Sequence, residues 1–207
     1  MTTLYLMRHG QSQHNAAFEE QKTPFVAVDE FGSHLTELGQ QQAQAAAQEL
    51  EPVTFDAVYA SDYYRARETA AIIATTKQLS VNILPQLRER DWGSLQGKNY
   101  GTVLEKMEAL RQGLSDQEKL AVKLTPDMES ELDGAQRLDA ALRSIAEKHP
   151  YQTLLIVSHG NVMRSWLKFL GLYTYDDLRQ GTVINCGYAV FGFQQKKWQL
   201  RSENLTQ

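Results

Sequence analysis

The chain has 207 residues, a hydrophobic fraction of 42% and a formal net charge of −4 at pH 7. That length allows one sizeable domain with a buried core, and the slightly acidic balance without a basic run argues against nucleic acid as a partner. Cys186 is the only cysteine, which excludes an intrachain disulfide and a cysteine-rich metal site.

The N-terminus enters a strand pattern at once, without the basic and apolar segments of a targeting leader. No apolar run approaches the roughly 18 residues of a membrane-spanning helix, so we expect a cytoplasmic protein with no membrane partner. Short, continuous apolar runs predict buried strands of a parallel sheet at 3–7, 56–61, 81–85 and 153–158.

Between these strands, apolar residues recur at the spacing of a helix. The predicted helices cover 36–50, 62–77, 130–148 and 160–171. Thr36 and Ser61 precede the first two and are residue types that cap helix N-termini. Alternating segments at 182–193 and 197–202 indicate a terminal hairpin.

The alternation of strands and helices predicts the α/β fold class, as a three-layer α/β/α sandwich around a mostly parallel central sheet with an antiparallel edge strand. The polar segment at about 88–128 breaks this alternation, and we interpret it as a partly helical insertion over the active site. We expect a single domain over residues 1–207, because no linker or internal repeat divides the chain.

Polar groups follow the ends of several predicted strands. These groups are Arg8-His9-Gly10, Ser61 to Arg65, Glu89, and Ser158-His159-Gly160. Ligands of open α/β sheets bind outside the carboxyl ends of the strands. If the strands are parallel, all four groups lie at the same edge of the sheet, and we expect them to form one site.

Two histidines and two arginines at one edge suit the transfer of a phosphoryl group. A neutral imidazole is a competent nucleophile toward phosphorus, and a guanidinium fork donates two hydrogen bonds to phosphate oxygens. Glycine after each histidine allows the backbone to approach an anion closely. Glu89 is a candidate for protonating the leaving oxygen, provided that its surroundings keep it neutral. The histidines lack the spacing of a metal site, so we expect no metal.

Five segments in this order resemble the histidine phosphatase superfamily, also called the phosphoglycerate mutase-like family. They are LMRHGQSQHN (6–15), LTELGQQQA (35–43), YASDYYRARETA (59–70), LRERDWGSLQG (87–97) and VSHGNVMR (157–164). The correspondence spans most of the chain, which makes it far more specific than any single motif.

The resemblance implies a role for each residue at the matching positions. It implies that His9 is the nucleophile that becomes phosphohistidine, and that Glu89 is the proton donor. It implies that the phosphoryl oxygens are bound by Arg8, Arg65, His159, Asn15 and the backbone of Gly160. The family uses no metal, and no cofactor is expected.

Other residues of these segments are candidates for contacting the rest of the substrate. Trp92 stands where the mutases commonly have tyrosine. Arg90, Lys98, Lys106 and Arg111 are candidates for attracting a second anionic group, although helical charge pairing explains Lys106 and Arg111 equally well. The roles of Glu129 and Ser130 are left open. The motifs give no support for a role of His14, His34 or His149.

Three functions fit this pattern. The first is a metal-independent phosphomonoester hydrolase acting on a small phosphorylated metabolite. The second is a phosphoglycerate mutase primed by bisphosphoglycerate, which is disfavoured because residues 100–128 contain one arginine, Arg111, where the mutases have an adjacent pair. The third is an inactive module that binds phosphorylated ligands. The sequence leaves the physiological substrate and the oligomeric state open.

Overall fold

The computed structural model describes residues 1–20, 26, 32–178 and 183–205. The strands of this part of the chain are β1 (Thr2–Arg8), β2 (Ala57–Ala60), β3 (Val81–Ile83), β4 (Thr153–Ser158), β5 (Tyr188–Gln194) and β6 (Lys197–Asn204). Its α-helices are α1 (Gln13–Glu19), α2 (Glu37–Glu49), α3 (Tyr64–Thr76), α4 (Tyr100–Arg111), α5 (Asp116–Leu120), α6 (Glu131–Lys148) and α7 (Gly160–Phe169). None of the described helices is long and apolar enough to cross a membrane.

The strands form one sheet in the order β3-β2-β4-β1-β5-β6. β1 to β4 run parallel, β5 runs antiparallel to β1, and the edge strand β6 pairs antiparallel with β5. The register places Arg8 opposite Ser158 and Ala60 opposite Val157. The carboxyl ends of β1, β2 and β4 therefore lie side by side, so the residues that follow them emerge together.

Two apolar clusters cover the two faces of the sheet. Leu4 and Leu6 of β1 belong to the cluster with α6 and α7, whereas Met7 belongs to the cluster with α2 and α3. β4 alternates in the same way, with Ile156 on the first face and Val157 on the second. Burial on both faces explains why these strands read as continuous apolar runs. The predicted three-layer α/β fold is confirmed.

The predicted elements are present with shifted ends. Thr36 caps α2 by accepting a hydrogen bond from the Gly39 N–H at 3.0 Å. The expectation that Ser61 caps α3 is wrong, because the N-cap is Tyr63, which makes no side-chain cap bond. The hairpin was predicted to begin at 182, which lies outside the described residues. Its first strand begins at Tyr188, because the preceding residues turn, with a hydrogen bond from the Gly187 N–H to the Ile184 carbonyl.

The insertion at 88–128 contains α4 and α5. Its residues Trp92, Val103, Met107 and Met128 form a small apolar cluster together with Val26, which lies outside the insertion. A separate aromatic group lies in the core under α6 and α7. There the Asp139 carboxylate accepts hydrogen bonds from the indole N–H groups of Trp166, at 3.0 Å, and Trp198, at 2.8 Å.

Candidate active site

The two histidines predicted from the motifs lie next to each other past the ends of β1 and β4. Their ring centroids are 5.1 Å apart and their planes make an angle of 63°. Arg65, in the first turn of α3, places its Nε 3.1 Å from the Nε2 of His9. The structure therefore brings together three side chains that are 56 and 94 residues apart in sequence.

The surroundings of His9 define which ring nitrogen carries a lone pair. Its Nδ1 lies 2.7 Å from the Gly10 carbonyl oxygen, which can only accept, so Nδ1 carries the hydrogen. Nε2 then accepts the hydrogen bond from Arg65. Burial lowers the pKa of His9 well below its usual value, and the charges of Arg65 and Arg8 lower it further. The imidazole is therefore neutral at pH 7, with its lone pair on Nε2.

His159 is completely buried, between the rings of His9 and Tyr63. Within the described part of the chain, neither of its ring nitrogens has a hydrogen-bond partner. Burial and the Arg65 charge hold the pKa of His159 well below its usual value. A buried ring with two unmet polar atoms is rare in native proteins and points to a ligand that supplies the partner.

Arg8 reaches the same place from the end of β1, where its Nη1 donates to the Val183 carbonyl at 2.5 Å. Burial lowers the pKa of Arg8 to about 10, so the guanidinium stays charged at neutral pH. Gly160 makes room for it, because a Cβ at that position would lie 3.2 Å from both Cδ and Nε of Arg8. The glycine at the start of α7 therefore allows the arginine to pack against the helix N-terminus.

Helix α3 is tied to the loop that carries His9. The Thr69 hydroxyl donates to the Arg65 carbonyl at 2.7 Å and accepts from the Gly10 N–H at 3.0 Å. Gly10 also touches α2, where a Cβ would lie 2.5 Å from the Gly39 carbonyl oxygen. These contacts set the position of Arg65 relative to His9.

Glu89 lies at the N-terminus of α7. Its Oε1 accepts from the N–H groups of Arg90, at 2.9 Å, and Val162, at 2.7 Å. Its Oε2 accepts from the Asn161 N–H at 2.9 Å. These three hydrogen bonds from the backbone fix the position of the Glu89 carboxyl group.

A cavity of about 360 Å³ opens beside His9, and we call it the histidine cavity. The ring of His159 is fully buried next to His9 and is not among the described residues that line this cavity. Its lining includes the predicted residues Arg8, His9, Asn15, Arg65, Glu89, Trp92 and Gly160. Asn15 also caps α1, because its Oδ1 accepts from the N–H and the hydroxyl of Ser12, each at 3.1 Å.

Arg90 lines a neighbouring cavity of about 530 Å³ instead, which we call the second cavity. Trp92 lines both cavities, and the guanidinium carbon of Arg90 lies 4.4 Å from the centroid of its ring system. Arg111 also lines the second cavity, whereas Lys98 and Lys106 are exposed.

His14, Asn161 and Arg164 are among the lining residues that the motifs did not predict. His14, for which the motifs gave no support, lines the cavity from α1. Burial lowers the pKa of this ring, and the charge of Arg65 lowers it further. Arg164 follows Gly160 by four residues, so both lie on the same face of α7. That spacing, at the end of the VSHGNVMR segment, is the signal that could have identified it.

Glu129 and Ser130, whose roles the sequence left open, support the structure around the site. Ser130 caps α6 by accepting from the Asp133 N–H at 3.0 Å. Glu129 pairs with Arg137 at 2.8 Å. Across the described ranges, no group of three or more histidine, cysteine, aspartate or glutamate side chains could hold a metal ion.

A model of the family described as histidine phosphatase superfamily (branch 1) matches residues 4–206. The chain belongs to this superfamily. Membership confirms the family predicted from the motifs and the predicted enzyme class, a phosphatase of the histidine phosphatase superfamily.

Relatives of this histidine phosphatase carry two kinds of name. A metal-independent phosphoserine phosphatase of Arabidopsis thaliana is 34% identical over 204 residues, covering 96% of this chain and 79% of that protein. A probable phosphoglycerate mutase GpmB of Cronobacter sakazakii is 32% identical over 204 residues, covering 96% and 88%. The solved structure of Bacillus stearothermophilus YhfR is 25% identical with a TM-score of 0.80, covering 100% and 98%.

Proposed function

We propose that the protein is a metal-independent phosphomonoester hydrolase, which acts on a small phosphorylated metabolite in the cytoplasm through a phosphohistidine at His9. The proposal rests on one observation above all. The Nε2 of a neutral, buried His9 lies 3.1 Å from Arg65, and both residues line one cavity with Arg8. Among the described residues, the unpartnered ring of His159 packs beside His9, with ring centroids 5.1 Å apart. A nucleophile and two groups that can bind phosphoryl oxygens thus share one space.

In the first step, His9 Nε2 forms a bond to phosphorus while the bond from phosphorus to the ester oxygen breaks. Negative charge on the equatorial oxygens is offset by Arg8, Arg65 and a protonated His159. The N-terminus of α7, beginning at Gly160, adds a favourable dipole on the same side.

The leaving oxygen takes its proton from Glu89. Hydrogen bonds from three backbone N–H groups hold this carboxyl group in position. In the second step, the Glu89 carboxylate takes a proton from the attacking water, the nitrogen–phosphorus bond breaks, and phosphate leaves.

Hydrolysis is preferred over the mutase reaction because a mutase must hold a carboxylate and keep water from the phosphoenzyme. Arg111, the one arginine of residues 100–128, donates to Glu131 at 2.5 Å and is already engaged. The names of the relatives include both activities. A mutase assay with bisphosphoglycerate primer therefore belongs in the test, beside phosphate release from sugar phosphates, nucleotides, phosphoglycerates and phosphoamino acids.

The decisive experiment compares the wild type with His9→Ala. The wild type is expected to form an acid-labile phosphoenzyme in single-turnover measurements with a radiolabelled ester. The variant should form none and lose about 10⁴-fold in kcat/KM. His149→Ala, which changes a histidine at the C-cap of α6, is the matched control and should keep both. Near-normal turnover by His9→Ala would refute the covalent mechanism, and tight phosphate binding without turnover by the wild type would favour a binding module.

A further inference from the structure

Residues 183–187, which we call the 183–187 turn, precede β5 and contact the end of β1 that carries Arg8 and His9. The side-chain amide of Asn185 donates to the His9 carbonyl at 3.0 Å, across 176 residues of sequence. The Cys186 N–H is shared between the carbonyls of Arg8, at 3.1 Å, and His9, at 3.3 Å. The His9 carbonyl therefore accepts hydrogen bonds from two donors of the same turn.

The peptide group between His9 and Gly10 is held at both of its ends. The His9 carbonyl and the Gly10 N–H belong to this one planar group. Asn185 donates to the carbonyl end, and the N–H end donates to the Thr69 hydroxyl at 3.0 Å. The next carbonyl along the chain, that of Gly10, accepts from Nδ1 of His9 at 2.7 Å. A rotation of the held peptide group would therefore carry this acceptor away from the imidazole ring.

The 183–187 turn is itself fixed by close packing. The Ile184 N–H donates to the carbonyl of Leu205, the residue that follows β6, at 2.9 Å. A Cβ at Gly187 would lie 2.7 Å from Cγ1 of Ile184, so the turn closes too tightly for a side chain there. Cys186 has a φ of +58°, in the left-handed region that non-glycine residues rarely adopt. Such a conformation persists where the surrounding structure imposes it, and it is concentrated at functional sites.

We propose that Asn185 is a positioning residue for phosphoryl transfer. Its amide fixes the peptide group between His9 and Gly10, keeps the Gly10 carbonyl against Nδ1, and so holds the Nε2 lone pair of His9 in the direction of attack. Asn185 is not among the described residues that line the histidine cavity, so it acts through His9 and not on the substrate. The inference rests on the proposed function and assigns it a residue that lies outside the motifs.

The direction of the Asn185 hydrogen bond separates this role from that of an ordinary turn residue. Asparagine side chains in turns commonly bond to the backbone of the turn itself, whereas this amide donates to a different element. The Cys186 N–H already gives the His9 carbonyl a partner, so the amide is not needed to avoid an unpaired buried acceptor. A second donor on the same oxygen restricts the orientation of the peptide group.

The test compares two substitutions of Asn185 with a matched control. Asn185→Ala removes the amide. Asn185→Asp keeps its size and its suitability for a turn, but an ionised carboxylate cannot donate. Asn82→Ala is the control, because Asn82 in β3 also donates from Nδ2 to a backbone carbonyl, that of Val58, at 3.1 Å. Thermal melting checks that each variant is folded.

Nitrogen-15 NMR of the histidine rings at about pH 8 measures the effect without any substrate, and the spectrum of His9→Ala assigns the signals of His9. We expect the wild type and Asn82→Ala to show a protonated Nδ1 and an unprotonated Nε2 at His9. In both Asn185 variants the two signals should move toward each other, because the second tautomer becomes populated when the Gly10 carbonyl moves. Wild-type signals in both variants would overturn the inference, and so would the opposite tautomer in the wild type.

Single-turnover kinetics measure the consequence for the reaction. We expect both Asn185 variants to form the phosphoenzyme about tenfold more slowly with KM changed by less than about twofold, because the orientation of the nucleophile matters most in the transition state. The loss should be equal for alkyl phosphates and p-nitrophenyl phosphate, since attack by His9 is impaired and proton donation by Glu89 is not. A loss confined to alkyl phosphates would contradict the inference.

The two measurements separate this inference from the proposed function. Altered ring signals in the Asn185 variants would support the positioning role even if the wild type forms no phosphoenzyme, a result that would refute the proposed function alone. Phosphoenzyme formation at the wild-type rate in both variants would overturn the inference and leave the proposed function intact.

Discussion

His9 and His159 occupy equivalent positions, each one residue past the end of a parallel strand, yet their hydrogen bonds suit them to different tasks. The Gly10 carbonyl holds one proton of His9 on Nδ1 and so leaves Nε2 as an acceptor. His159 has no such partner among the described residues, so either ring nitrogen can take a proton when a phosphate arrives. In the proposed mechanism, this single carbonyl contact distinguishes His9 as the nucleophile from His159 as the donor.

Glu89→Gln tests whether Glu89 donates a proton to the leaving oxygen. The amide can still occupy the pocket at the start of α7 but cannot give a proton to a leaving oxygen. We expect kcat/KM for alkyl phosphates to fall by about 100-fold or more, and for p-nitrophenyl phosphate much less, because nitrophenolate leaves without a proton. Equal losses on the two substrates would show that Glu89 acts through structure alone.

Gly160→Ala tests the contact between the start of α7 and Arg8. A Cβ there would lie 3.2 Å from the arginine side chain, so the guanidinium must move by a few tenths of an ångström. We expect the affinity for inorganic phosphate or vanadate to fall by about tenfold, with little loss of thermal stability. Gly101→Ala in α4 is the matched control, since its nearest new neighbour is the Asn99 side chain at 3.4 Å. Unchanged affinity in Gly160→Ala would contradict this role.

At the scale of elements, the loop that carries Glu89 is held from behind by α6. Arg137 donates to the carbonyls of Gln86 at 2.8 Å, Arg88 at 3.1 Å and Glu89 at 3.3 Å, and it also pairs with Glu129. The conformation of the loop that carries Glu89 therefore depends on the guanidinium of Arg137, which belongs to α6.

We expect Arg137→Gln to act on catalysis through this loop. It should lower kcat for alkyl phosphates by about tenfold and, like Glu89→Gln, affect p-nitrophenyl phosphate less, because Glu89 is displaced. Arg143→Gln, on the same helix, should show neither effect. The leaving-group dependence is the measurement that separates positioning of Glu89 from general destabilisation, which would lower both rates equally.

The sequence predicted the elements that bury a regular apolar pattern and missed those held by polar contacts. Helix α1 was not predicted, because its residues Gln13–Glu19 include no buried side chain and it is fixed by the capping box of Ser12 and Asn15. The motifs predicted seven of the residues that line the histidine cavity, and they missed others such as His14, Asn161 and Arg164. The second cavity was beyond reach, because Glu131 and Lys168 look like ordinary charges at helix ends until the packing of α6 on α7 buries both.

At the scale of the whole molecule, buried neutral histidines make stability depend on pH. The pKa values of His9, His14 and His159 are lowered in the folded protein, first of all by burial. Below pH 6.5, the usual pKa of histidine, these side chains bind protons in the unfolded chain but not in the folded chain. Stability is therefore highest above that pH and falls as the pH falls toward the folded-state values.

We expect the free energy of unfolding to drop between about pH 7 and pH 5, by up to ~1.4 kcal/mol per pH unit for each histidine. Urea titrations at several pH values measure this slope. His159→Gln should reduce the slope by the contribution of one proton, and saturating phosphate should reduce it in the wild type, because a bound dianion favours protonation of His159. If neither His159→Gln nor saturating phosphate alters the slope, the pH dependence does not come from His159.

The placement of the three tryptophans gives the molecule a built-in optical signal. Trp166 is buried and Trp198 is partly buried, and both donate to the Asp139 carboxylate. Trp92 lines both cavities beneath the guanidinium of Arg90. Intrinsic fluorescence from Trp92 thus changes when either cavity fills, while the other two indoles respond to loss of packing. Occupancy and unfolding can be followed in the same cuvette without any attached dye.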